Sequence, residues 1–156
     1  MVMRNFKKPI SQDVDDLIGL FLDHKVEFLV IGAYAVMVYS EPRFTKDIDF
    51  WVNPSPTNSF KVFAALKEFG APLSKLSVED FSAPGYFYTM GIPPGRMDIL
   101  MSVANLDFDS CYASRSMVEF GPRTVPVISM QDLILAKIAA GRPQDLLDLQ
   151  KLQKKA

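Results

Sequence analysis

Segments with apolar residues at helical spacing alternate along the chain with short runs whose apolar residues are continuous or recur at every second position. Ser11 precedes a stretch in which Val14, Leu17, Ile18 and Phe21 share one helical face, while Asp13, Asp15 and Asp16 load the first turn, where the helix dipole favours negative charge. This predicts an amphipathic cover helix from Ser11 to about His24. Val26 to Ile31 (VEFLVI) is a β-rich run ending at Gly32, and AYAVMVYS continues as a short helix until Pro42 stops it. Asp47 to Val52 (DIDFWV) reads as a second strand. After NPSPTN, Asn58 is placed to cap a helix that closes at Gly70.

Residues 71–85 carry no clear period. Tyr86 to Met90 reads as a strand, GIPPG as a connection and Arg96 to Val103 (RMDILMSV) as a strong strand. Weaker β runs follow at Met117 to Phe120 and Thr124 to Ile128. Ser129 with Asp132 has the spacing of a capping box and opens a helix through about Ala140; Gly141 ends it, and Pro143 suits the first turn of a last helix, DLLDLQKLQ. The order predicts an α+β fold: a mixed β-sheet packed with helices and closed by a C-terminal helical pair. One domain over residues 1–156 is expected, with its core at about 26–128 and the C-terminal helices at about 129–155.

Composition narrows the chemistry. Of 156 residues 49% are hydrophobic and 22% charged, a balance that closes a core rather than leaving a disordered chain. Seventeen Lys and Arg against eighteen Asp and Glu leave a formal charge of −1, without the basic excess of a protein that coats nucleic acid. One Cys (Cys111) and one His (His24) exclude an intrachain disulfide and a zinc-finger ligand set. No apolar run approaches the roughly 20 residues of a membrane span, so a cytoplasmic protein without a membrane partner is expected. Chemistry is left to carboxylates, hydroxyls and basic side chains.

The informative strand is DIDFWV. Positions i and i+2 of a strand share a face, so Asp47 and Asp49 project one way and Ile48 and Phe50 the other. Two carboxylates so close repel, and a hard divalent cation relieves the repulsion while binding substrate phosphates. Asp98, between Met97 and Ile99, would complete a triad if its strand lies alongside. Gly32 and Ala33, between a strand and a helix, leave room for a phosphate at the helix N-terminus. By their surroundings alone, Lys137 reads as a surface lysine, and Arg142 with Asp145 and Asp148 as helix-surface pairs. Phe81, Tyr86, Phe87 and Tyr88 include candidates for stacking on a base.

Taken together, IGAYAVMVYSEPRFTKDIDFWV resembles the signature of the DNA polymerase β-like nucleotidyltransferase superfamily: a hydrophobic residue, Gly, Gly or Ser, a spacer, and Asp-hydrophobic-Asp-hydrophobic. Ile31, Gly32, the spacer 34–46 and Asp47-Ile48-Asp49-Phe50 carry it, with Ala33 where the signature has Gly or Ser. PPGRMDIL and VISMQDLILAKIAAGRPQDLLDLQKL extend the likeness to small minimal nucleotidyltransferases, including AbiEii-like and toxin–antitoxin-associated members. The resemblance implies that Asp47, Asp49 and Asp98 are catalytic and hold Mg²⁺, or Mn²⁺. It implies that Gly32 and Ala33 face the phosphates of a nucleoside triphosphate, with Arg43, Lys46 and Lys137 as further nucleotide contacts. The reaction it implies moves an NMP to an acceptor hydroxyl, on an RNA end, a protein or a small molecule, with release of pyrophosphate. The alternative is a binding protein that keeps the fold and pairs with a partner protein of toxin–antitoxin type.

Overall fold

The computed structural model describes residues 4–155 apart from positions 7 and 94. Its strands are β1 (Arg4–Asn5), β2 (Phe28–Ile31), β3 (Asp47–Val52), β4 (Phe87–Met90), β5 (Arg96–Leu100), β6 (Ser116–Phe120) and β7 (Arg123–Val127). Its helices are α1 (Gln12–Asp23), α2 (Gly32–Tyr39), α3 (Pro56–Phe69), α4 (Phe108–Ala113), α5 (Met130–Ala140) and α6 (Pro143–Lys155), with a 3₁₀ turn at Val78–Ser82. The strands form one sheet in the order β1-β6-β7-β2-β3-β5-β4. Antiparallel pairs (β2–β3, β4–β5, β6–β7) alternate with parallel ones (β1–β6, β2–β7, β3–β5), so the sheet is mixed and the fold is α+β, as the pattern predicts.

Strand parity sets the two faces. Ile48 and Phe50 point into the core, where the Phe50 ring meets Phe28 and Phe21 of α1 at centroid separations of 5.8 and 5.6 Å. The α1 stripe of Val14, Leu17, Ile18 and Phe21 is fully buried, and Ser11 caps the helix by accepting the Val14 N–H. Each such side chain contributes roughly 1.5–3 kcal/mol relative to exposure. α3 packs beside α1. Trp51 points to the opposite face and meets Phe108 of α4 edge-on at 5.3 Å. That opposite face, toward the N-terminal end of β3, carries Asp47 and Asp49, and α5 and α6 pack against each other and against α2. Among the described residues, no helix is long and apolar enough to cross a membrane.

Several local expectations shift. α3 starts at Pro56, with Ser55 accepting the Asn58 N–H; a Ser followed by Pro at the first helical position is the stronger start signal. Asn58 is buried instead. It accepts from the Glu27 N–H at 2.8 Å and donates to the carbonyls of Glu27 at 3.0 Å and Asn53 at 2.8 Å, tying α3 to the end of the β2–β3 pair where β2 begins and β3 stops. The segment without period contains a 3₁₀ turn closed by a Ser77–Asp80 capping box, and α4, capped by Asp107, was not anticipated because only six residues form it. At Ser129 half of the expected box forms: Ser129 accepts the Asp132 N–H, while the Asp132 carboxylate accepts the Ser114 hydroxyl at 2.8 Å. The strand predicted to Val103 stops at Leu100.

The exchange of roles between Ser55 and Asn58 is testable. Ser55→Ala removes a cap and costs about 1 kcal/mol. Asn58→Ala strands buried backbone groups and costs about 2–3 kcal/mol. Urea denaturation of the two variants gives that order; a larger loss for Ser55→Ala would mean that the Asn58 bonds are not made in solution.

Candidate active site

Register brings the acidic residues together. β3 and β5 run parallel with Asp47 opposite Arg96 and Asp49 opposite Asp98, and β4 places Thr89 opposite Asp98. One oxygen from each of Asp47, Asp49 and Asp98 lies within 4.8 Å of the others. Thr89 Oγ1 donates to Asp98 Oδ1 at 2.8 Å. Arg96 Nε lies 3.4 Å from Asp98 Oδ1 and 3.8 Å from Asp47 Oδ2. The condition for a triad, that the strand of Asp98 lies alongside that of Asp47 and Asp49, is met.

Like charges at this spacing raise each other's proton affinity. Burial, then the Asp47 and Asp98 carboxylates, push the Asp49 carboxyl up to about 7, with Lys137 opposing. Burial and Asp98 also push Asp47 upward, against the pull of Arg96. Three carboxylates offer only hard oxygen ligands, and a divalent cation among them lowers the repulsion that raises Asp49. The triad can therefore bind a divalent metal. Gly32 makes the arrangement possible in two ways. Its φ of +66° is one that side-chain-bearing residues rarely adopt, and a Cβ there would collide with Asp49 Oδ2. Ala33 lies within α2 and outside the positive-φ residues, so alanine in place of Gly or Ser imposes no backbone strain.

The helical pair closes the opposite side. Lys137 is buried rather than at the surface, with Nζ 3.1 Å from both Asp145 Oδ1 and Asp148 Oδ2. Arg142 Nε donates to Asp145 Oδ2 at 2.7 Å, and Arg43 Nη2 reaches Asp148 Oδ2 at 3.1 Å. Burial alone would raise the Asp145 carboxyl, but hydrogen bonds from Arg142 and Lys137 hold it below the ordinary range. This network fastens α5, α6 and the loop before β3 into one wall. The surface reading of Lys137 fails because the pattern of α5 shows which residues flank the lysine but not the two α6 carboxylates above it.

Gly32, Ala33, Arg43, Asp47, Asp49, Asp98 and Lys137 all line a single cavity of about 830 Å³, near the upper end of the roughly 300–1,000 Å³ typical of ligand clefts. Lys46 is exposed and outside that lining. Of the candidate aromatics, Phe87 lines the cavity, Phe81 is buried, and Tyr88 packs on Phe81. Two contributors are not singled out by the sequence, Thr89 and Arg96; Arg142, Asp145 and Asp148 are, but as helix-surface pairs, whereas both carboxylates are buried and Arg142 pairs with Asp145 at the cavity wall. The Arg-x-Asp spacing in GRMDIL was a usable signal for Arg96, since i and i+2 share a strand face.

A family-wide sequence profile described as a nucleotidyltransferase of unknown function, DUF6036, matches residues 9–153. The chain belongs to this family. Its fold is similar to that of the lincosamide antibiotic adenylyltransferase LnuA in its lincomycin-bound crystal structure, with a TM-score of 0.57 and 17% identity over 96% of this chain and 100% of that one. It is similar as well to a Thermotoga maritima protein assigned as a nucleotidyltransferase, with a TM-score of 0.59 and 16% identity over 92% and 91% of the two chains. At these identities the likeness carries the fold. No curated protein matches the chain in sequence.

The charge arrangement makes two predictions. With its carboxyl at about 7 when folded and 3.8 when unfolded, Asp49 binds a proton in the folded chain that the unfolded chain lacks across that window. Its contribution to stability therefore falls as pH rises through it. In metal-free buffer Asp49→Asn melts a few degrees above the wild type at pH 8, and the difference shrinks toward pH 5; a constant difference would contradict the raised proton affinity. Lys137→Met leaves two buried carboxylates short of a partner and costs about 3–5 kcal/mol in urea denaturation. A loss below about 1 kcal/mol would show that the network does not hold the helical pair.

Proposed function

We propose that the protein is a metal-dependent nucleotidyltransferase that moves an NMP from a nucleoside triphosphate to an acceptor hydroxyl. The observation that carries this reading is the convergence of Asp47, Asp49 and Asp98 beside the Gly32 turn. Family membership supports the same class of reaction, and the lincomycin-bound adenylyltransferase of similar fold is an example of nucleotidyl transfer on this architecture.

Asp47 and Asp49, with Asp98, would hold Mg²⁺, or Mn²⁺, from one side of the cavity. Bound there, such ions neutralise phosphate oxygens and polarise the attacking and leaving oxygens of an in-line displacement. The Gly32–Ala33 turn leaves the N-terminal amides of α2 open to the phosphates. Arg43, Arg142 and Lys137 supply positive charge from the helical wall, each already oriented by Asp145 or Asp148; Lys46 is a more distant contact for a longer substrate. Asp98, aligned by Thr89, orients the acceptor hydroxyl and takes its proton. The acceptor oxygen bonds to the α-phosphorus as the bridge to the β-phosphate breaks, and pyrophosphate leaves with the bonding pair. Catalysis is then chiefly positioning and charge neutralisation.

A second reading, a catalytically weak or inactive binding protein that acts as an antitoxin-like or complex-forming subunit, is favoured by the exposed apolar residues Leu135, Ile138, Leu146 and Leu147 on α5 and α6. It predicts no triphosphate binding in Mg²⁺ and co-purification with a protein partner.

Asp47→Asn and Asp49→Asn each lower nucleotidyl transfer by more than about a hundredfold while the thermal unfolding transition stays cooperative. Transfer from α-labelled nucleoside triphosphates in cell extract is the measurement. Label incorporation that survives the double substitution would remove the carboxylate mechanism.

A further inference from the structure

The cavity has a direction. Across the sheet, the site face passes from Gly32 at the end of β2, through Asp47 and Asp49 on β3, to Asp98 on β5 and Thr89 on β4. β4 is the edge strand beside β5, so a triphosphate at the Gly32 turn would leave the β5–β4 edge as the side of Asp98 away from it. Beyond Asp98 on that side the same face continues with Leu100 and, opposite it, Phe87, one register step of about 7 Å further along.

Phe87 is unusual among the aromatic residues here. Its neighbour Tyr88 packs on Phe81, whereas Phe87 is 63% exposed and lines the cavity. An aromatic held on a strand and facing a cleft is a stacking surface without an internal partner. The surrounding chain is almost uncharged: between Phe81 and Leu106 the only ionised side chains are Arg96 and Asp98, and these face each other in the site. α5 adds Leu133 and Ala136 to the cavity lining.

We infer that the acceptor is an uncharged, hydroxyl-bearing small molecule with an apolar face, seated on Phe87 and Leu100 with its hydroxyl at Asp98. This rests on the nucleotidyl-transfer reading of the triad. An RNA end needs Lys and Arg tracking its phosphates, and the stretch from Phe81 to Leu106 that forms β4 and β5 offers none beyond Arg96. A polycationic acceptor needs carboxylates outside the triad; the same stretch offers none, and Asp145 of the cavity wall is already paired with Lys137 and Arg142. A hydroxyl presented by an apolar body matches what remains: the proton passes to Asp98, the oxygen bonds to the α-phosphorus and pyrophosphate departs.

The test supplies the full-length protein with each α-labelled nucleoside triphosphate in Mg²⁺ and, in separate reactions, with a low-molecular-weight metabolite extract, total RNA or total protein. Calorimetry with the same triphosphates runs alongside. Label is expected in the metabolite pool, in a species retained on a reversed-phase column. Phe87→Ala raises the apparent KM for that pool about tenfold, with kcat and calorimetric triphosphate affinity little changed, and Phe87→Tyr restores it. Label on RNA, label on protein such as a peptide strand added along β4, or a KM unmoved by Phe87→Ala overturns the assignment. Failure of the wild type to bind triphosphate in Mg²⁺ overturns the transferase reading itself, and is seen in calorimetry before any acceptor is added.

Discussion

Mutual repulsion among three carboxylates is the constraint around which the molecule is arranged. Asp49 and Asp98 face each other across a parallel strand pair, and Asp47 lies one register step away, so the site concentrates negative charge on a partly buried surface. The burial of Ile48, Phe50, Met97 and Ile99 on the other face leaves the strands no freedom to turn the carboxylates away. The charge is tolerated through Arg96 and through the raised proton affinity of Asp49, and under the proposed nucleotidyl-transfer reading it would become an asset with a divalent cation and a phosphate chain in the cavity.

The second half of the arrangement is electrostatic as well. Lys137, Arg43 and Arg142 converge on Asp145 and Asp148, so the wall facing the acidic strands is built from paired cations, three against two carboxylates, and keeps one net positive charge. Pairing with carboxylates reduces the long-range field of those cations. It also fixes the direction of each cationic side chain before substrate arrives, so less ordering remains to be done on binding.

The legibility of this design in the sequence follows the range of the interactions. The helix of Val14, Leu17, Ile18 and Phe21, the strands of Asp47–Val52 and Arg96–Leu100, and the turn at Gly32 are written in local periodicity and composition. The pairing of Asp49 with Asp98 is non-local: local pattern places both between apolar neighbours in strand-like runs, and only the family resemblance joins them in one site, which the β3–β5 register then does in the structure. Thr89, which bonds Asp98 across strands, and the burial of Lys137 depend on register and on helix packing, which local spacing does not encode. Asn58 shows the same limit on a smaller scale: its residue type suited a cap, but its partners, Glu27 and Asn53, lie in the connections that flank β2 and β3.

The most direct test of the central claim is anomalous diffraction from a crystal grown with Mn²⁺ and an α,β-methylene nucleoside triphosphate, which resists cleavage. The account predicts manganese peaks bridging Asp47, Asp49 and Asp98, with the phosphates over the Gly32 turn and Arg96 drawn off the carboxylates. Manganese bound elsewhere, with Arg96 still spanning Asp47 and Asp98, would contradict it.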